Sequence, residues 1–150
     1  MRKIVVSNAF LEEVAVLLEE GQAVRVRIDG QSMFPFIKGG QDEVELVPYE
    51  IGSALPLWSV AFFKWHGNYI VHRFVGMQND LFCMMGDGNL VQVEQIKEND
   101  IIGVLRFIYR SNGTCQDCSN SKWLMKGKRW YKMRRYRRYL LPLCRLIAKL

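Results

Sequence analysis

The chain has 150 residues, 49% of them hydrophobic, which suits one domain with a buried core and excludes a disordered, low-hydrophobicity segment. Its formal charge of +6 is a composite: residues 1–121 hold 10 Lys and Arg against 15 Asp and Glu, whereas residues 122–150 hold 11 basic residues and no acidic one. No run approaches the roughly 20 apolar residues that a helical membrane span needs.

The start, Met1-Arg2-Lys3, is followed by only Ile4-Val5-Val6 before polar residues appear, so it does not read as a secretory leader. A cytoplasmic or peripherally membrane-associated protein is therefore expected. Asn8 can cap a first helix that carries Glu12 and Glu13 in its early turns, presents Phe10, Val14, Leu17 and Leu18 as an apolar stripe, and stops at Gly21. One such helix is too little for a helix-turn-helix domain.

From residue 23 to 109, short β-branched and aromatic runs alternate with Gly, Asn and Asp turns, the pattern of an antiparallel β domain. Strands are predicted over 23–28 and 43–49, with a hairpin joining 62–65 to 69–72 through His66-Gly67-Asn68. Strand alternation puts Ile70, His72 and Phe74 on one face and Val71, Arg73 and Val75 on the other.

Three segments carry possible chemistry: Gly30-Gln31-Ser32-Met33-Phe34-Pro35, then Ile70-Val71-His72-Arg73, then Gly86-Asp87-Gly88-Asn89. A serine hydroxyl is a weak nucleophile at neutral pH and needs a proton acceptor held in a fixed orientation by a third group. Ser32, His72 and Asp87 supply these types in that order. Taken singly, Ser32 reads as a turn residue, His72 as a histidine satisfying a buried hydrogen bond, and Gly86-Asp87-Gly88-Asn89 as a turn.

Together, across residues 24–106, the segments resemble the catalytic boxes of the S24/S26 peptidases, the superfamily of signal peptidase I and the LexA-type repressors. The first matches the G-x-S-M-x-P box, the second the V-H-R context of histidine-type members, and the third G-D-x-N. The resemblance implies an antiparallel β fold of the signal peptidase/LexA type. It also implies Ser32 as nucleophile, His72 as base and Asp87 as orienting acid, with Glu94 a more distant substitute. Gly30, Gln31, Met33 and Pro35 then flank the oxyanion and substrate position. The chain departs from the family pattern at Gly30, where some members carry a hydroxyl, and at Gly40-Gln41-Asp42, which has one residue more than the family's Gly-Asp pair. The nearest lysine that could replace His72 as base is Lys64.

Residues 111–121 form a polar connector containing Cys115-Gln116-Asp117-Cys118, a lone C-x-x-C. With Cys83 and Cys144 remote in sequence it lacks the ligands of a zinc site, so no metal or cofactor is expected, and a local disulfide or free thiols remain open. In the tail, 122–150, the residues Met133, Tyr136, Leu140, Leu143, Ile147 and Leu150 recur at spacings of three and four among arginines. A basic amphipathic helix of this kind suits an anionic membrane surface, a membrane protein, or packing on the chain's own domain. Pro142 is expected to kink it. Nucleic acid is not expected as a partner, although Trp123, Trp130 and Tyr131 interleave with cations.

The expected organisation is thus a peptidase-like β domain with an N-terminal helix (1–110), a connector (111–121) and a basic tail (122–150). The expected function is a serine endopeptidase acting on an extended peptide or protein. The alternative is a non-catalytic peptide-binding module that keeps the fold and docks through its tail.

Overall fold

A computed structural model describes residues 3–5 and 8–149. The charged start at Met1-Arg2, Val6, the side chain of the expected cap Asn8, and Leu150 at the end of the tail stripe lie outside the described residues.

The described chain is mainly antiparallel β, with a helix at its N-terminal end and helices at its C-terminal end, and the sheet curls into a half-barrel. Nine strands join in one sheet: β1 (Lys3–Val5), β2 (Val24–Arg27), β3 (Glu43–Pro48), β4 (Val60–Trp65), β5 (Asn68–Gln78), β6 (Leu81–Met85), β7 (Glu94–Ile96), β8 (Ile101–Tyr109) and β9 (Cys115–Asp117). Their order is β1-β2-β3-β8-β4-β5-β6-β7, with β9 added to β8. β1 and β2 run parallel and the other pairs antiparallel.

The predicted hairpin is β4–β5, in register from Val60 opposite Arg73 to Trp65 opposite Asn68. His66 and Gly67 make its turn, both at positive φ. His66 is thereby a turn residue. The stretch expected to be a connector contains β9, and Asn120 caps the next helix by accepting from the Trp123 amide at 2.8 Å.

Helix α1 (Asn8–Glu19) ends where Gly21, at φ +89°, allows Gln22 N to donate to Leu17 O and Gly21 N to Leu18 O. It packs across β3, β5 and β8, burying Val14, Ala15 and Leu18. Phe10, expected in the stripe, is 42% exposed, because the apolar face is centred on Val14 and Leu18 instead.

β4 is covered on both sides, so its run Val60-Ala61-Phe62-Phe63 is buried without alternation. Phe62 joins the core under α1 with Val26, Val44 and Ile108, while Phe63 joins a second core with Phe74, Met84 and Ile101. Each such buried phenylalanine contributes about 1.5–3 kcal/mol.

The tail folds as α2 (Ser121–Lys132), a 3-10 turn at Arg134–Tyr136, and α3 (Arg137–Ala148). Pro142 lies inside α3, so the break falls at Met133–Tyr136 and not at the proline. Both helices return to the β domain. Trp130 and Leu141 form a third core with Phe34, the second residue after Ser32.

Candidate active site

Ser32 sits in the loop between β2 and β3, residues 28–42. Gly30, at φ +89°, bends the chain into it, and Gly39 closes it so tightly that a Cβ there would lie 1.7 Å from Gly30 O. Phe34 N donates to Gln31 O at 3.1 Å and Ile37 N to Met33 O at 2.9 Å. Met33 and Ile37 are buried, whereas Gln31 and Ser32 remain exposed. Asp42, whose match to the family pattern is loose, is buried and locks the end of the turn. Its Oδ2 accepts from Lys38 N at 2.7 Å and from Arg110 Nη1 at 2.6 Å.

His72 lies mid-strand on β5 opposite Ala61, 5% exposed, with its ring edge-on to Phe63 at 6.2 Å. Its Nδ1 is 2.5 Å from Glu94 Oε1, and Glu94 is fully buried. The other carboxylate oxygen accepts from Gln92 Nε2 at 2.9 Å. An ionised carboxylate only accepts, so it holds the proton on Nδ1 and leaves the Nε2 lone pair free. A Cβ placed on Gly86 would meet Nε2 at 2.8 Å and Ser32 O at 2.5 Å. His72 Nε2 and the main chain of Ser32 therefore border one small space, which Gly86 keeps open.

The third box is docked directly on this corner. Gly88 N donates to Ser32 O at 2.8 Å, and a Cβ on Gly88 would come within 2.3 Å of Gln31 O. Close approach of the two loops accounts for both glycines.

Asp87, expected to orient His72, does something else. Its two oxygens accept from Arg73 Nε at 2.8 Å and Arg73 Nη2 at 2.7 Å, and both side chains are almost fully buried. The physical reason is strand alternation: Arg73 is the neighbour of His72 on β5 and projects to the opposite face, so a carboxylate captured by Arg73 cannot also reach His72. Glu94 takes the place expected of Asp87.

Arg73 is held on every side. Its Nη1 donates to Trp58 O at 2.6 Å, and its guanidinium lies 4.7 Å from the ring centres of both Phe36 and Trp123. Helix α2 crosses it at Gly127, where a Cβ would stand 2.2 Å from Arg73 Nη1. Neither a family model nor a curated protein matches the sequence. What the site can do thus rests on its own geometry.

The two C-terminal helices complete the setting. Trp130 Nε1 donates to Asp87 O at 2.7 Å, and Arg137 Nη1 donates to Gly86 O at 3.1 Å and Asn89 O at 2.8 Å. Arg137 is 1% exposed and stacks near Trp130. Burial lowers its pKa from the ordinary value, the Asp87 charge opposing and the Arg73 charge adding to that effect. The tail so grips the loop that borders both Ser32 and His72.

Other expected participants are elsewhere. Lys64 is exposed opposite Tyr69, at the far end of the hairpin from His72. Pro35, two residues beyond the buried Met33, lines the outer side of the turn beside Arg110 and Trp123. Cys115 and Cys118 are both free, the first exposed and the second buried, and no group of His, Cys, Asp or Glu among the described residues could hold a metal ion.

Sequence reasoning ranked Glu94 behind Asp87 and gave no role to Arg73, Trp130 or Arg137. One signal was available: Glu94 shares a strand face with the apolar Ile96, and both are buried between exposed neighbours.

Proposed function

We propose that the chain is a serine endopeptidase of the S24/S26 type in which Ser32 is the nucleophile, His72 the base and Glu94 the residue that orients His72. The observation that carries this reading is the buried 2.5 Å contact between His72 Nδ1 and Glu94, with Nε2 turned to the corner that Gly86 shares with Ser32. Gly86 keeps open the space where Nε2 faces the Ser32 main chain, at the turn that exposes the serine.

In the proposed reaction Ser32 Oγ forms a bond to a peptide carbonyl carbon while His72 Nε2 takes the hydroxyl proton. Glu94 stabilises the imidazolium. The scissile C–N bond then breaks as His72 returns the proton to the leaving amine, and water, deprotonated by the same nitrogen, hydrolyses the acyl ester. Gly30 offers no hydroxyl, so the developing oxyanion depends on main-chain donors, first the amide of Ser32. One such donor is worth about 3 kcal/mol in the transition state.

An extended peptide suits the surroundings. β7, which carries Glu94, ends the strand order and leaves an edge that an added strand can pair with. A cleft of about 670 Å³ beside it has Leu90, Val91 and Val93 on one wall and Lys132, Arg134 and Arg135 on the other.

The test is cleavage of a peptide library by the full chain, together with labelling by a fluorophosphonate. Wild type is expected to cleave and to be labelled, and Ser32→Ala to do neither while keeping its circular dichroism. Equal turnover by Ser32→Ala would overturn the assignment. Folded wild type that binds library peptides yet resists the probe would make it a peptide-binding module instead.

A further inference from the structure

Leu140 of the tail's apolar stripe packs on the third core, but Tyr136, Leu143 and Ile147 do not face the β domain. The side of α3 that docks carries Arg137 and Leu141, buried against the third-box loop and Phe34. The opposite side exposes Tyr139 by 71%, Leu143 by 52%, Leu146 by 62% and Ile147 by 60%, with Tyr136, at 53%, one turn before. At 100° per residue these five lie within one contiguous half of the helix. A helix already anchored by one face thus leaves its more apolar face without a partner among the described residues.

The charges around that face select what covers it. Arg135, Arg138 and Lys149 are exposed along its margin, Arg145 turns back over the Phe34 ring, and residues 122–150 contain no acidic residue. Packing two copies of this face together would oppose cations with cations. An acidic surface that also takes up apolar side chains satisfies both features, and a bilayer containing anionic lipid has both. Arginine and lysine stems reach past the apolar face to headgroup level, and tyrosine is at home there. The face continues beyond the helix, because Tyr136, Arg134 and Arg135 share a cleft with the exposed Leu90 and Val91 of the loop before Glu94.

We propose that the outward face of α3, together with Leu90 and Val91, seats this protein on the surface of an anionic membrane without spanning it. No helix among the described residues is long and apolar enough to cross one. The seat does not depend on whether Ser32 is a nucleophile: Leu90, Val91, Arg134 and Arg135 also line the cleft beside β7, but vesicle binding is read without any peptide or turnover.

The experiment is sedimentation of the full chain with phosphatidylcholine vesicles, with and without about 30 mol % phosphatidylglycerol. The expected result is binding to the anionic vesicles only, weakened when ionic strength is raised from about 0.1 to about 0.5 M. The variant Leu143→Gln/Leu146→Gln/Ile147→Gln keeps good helix formers at exposed positions and is expected to lose at least about tenfold in vesicle affinity. A second variant, Arg135→Gln/Arg138→Gln/Lys149→Gln, is expected to lose about fivefold per cation removed. Ser32→Ala should bind as wild type does. Absence of wild-type binding, equal binding to uncharged vesicles, or full binding by both variants would overturn the proposal. So would tighter retention on duplex DNA than on anionic vesicles at matched salt, or a dimer that only the aliphatic variant dissolves.

Discussion

Replacing Glu94 by glutamine removes one charge from His72 and little else. The carboxylate oxygen lies 2.5 Å from Nδ1, so when the imidazole is protonated the two charges are centred about 4 Å apart, and at an effective dielectric of about 20 their attraction is about 4 kcal/mol. This term appears only once His72 has taken the proton, so it lowers the barrier and not the ground state. At about 1.4 kcal/mol per decade, Glu94→Gln is expected to lower kcat/KM about 10³-fold, and more if the new amide turns its NH₂ to Nδ1 and moves the proton to Nε2. Stability should change far less, since His72 Nδ1 can still donate to the amide oxygen while Gln92 turns its own amide to accept from the new NH₂.

The matched control is Asp87→Asn. It leaves the buried Arg73 guanidinium without its counter-ion, which costs about 3–5 kcal/mol of stability. The folded fraction should nevertheless keep kcat/KM within about tenfold, because Asp87 does not touch His72. Both variants would be assayed on one peptide selected from the library, with active enzyme counted by the fluorophosphonate and stability read from denaturant midpoints. If the pattern is reversed, so that folded Asp87→Asn loses about 10³-fold and Glu94→Gln retains activity, Glu94 does not orient the base.

Gly127→Ala is expected to destabilise by about 1–3 kcal/mol, because the added Cβ meets Arg73 Nη1 at 2.2 Å and Arg73 is pinned by Asp87 and Trp58. An open helical glycine would instead gain about 1 kcal/mol on becoming alanine, and a raised denaturant midpoint would show that α2 does not press on Arg73. Burial pushes the Cys118 thiol from an ordinary 9.0 up to about 12. The unfolded chain therefore ionises first, so the stability that Cys118 contributes is complete below about pH 9 and is lost as pH rises towards 12. Cys118→Ala should flatten the decline of the denaturant midpoint across that alkaline range, and an unchanged slope would refute the assignment. In native protein at neutral pH, a thiol reagent should modify Cys115 and spare Cys118.

Much of the β domain was legible because its signals are local. The β4–β5 hairpin follows from alternation and a short turn, and the turn around Ser32 from Gly30 and Pro35. What failed was pairing at a distance. Asp87 and Glu94 are both acidic residues downstream of His72, and composition cannot say which one reaches it. The decision lies with Arg73, which strand alternation sends to the opposite face, where it captures Asp87. An arginine in a strand that is covered on both sides requires a carboxylate, and that requirement was readable without being read. The tail hides a similar pairing. Arg137 stands among basic residues with no sequence signal for burial, yet its guanidinium replaces solvent with the carbonyls of Gly86 and Asn89. α3 runs through Pro142, its sixth residue, although proline removes the bond its N–H would make to Arg138 O.

The inward face of α3 and the site are mechanically one unit. Gly88 holds the carbonyl of Ser32, Gly86 borders His72 Nε2, and the loop that contains both is gripped from behind by Trp130 and Arg137. Every link in that chain is a hydrogen bond of 3.1 Å or less or a close contact permitted by glycine, so there is little slack between helix and site. A face of α3 that rests on a lipid surface would therefore fix the orientation of the Ser32 corner relative to that surface. Its opening would meet extended peptides at a constant height above the bilayer. Under the proposed peptidase activity, such a constraint would select substrates by where their cleavable bond lies along the chain from a membrane anchor, a kind of specificity that the cleft beside β7 does not supply by itself.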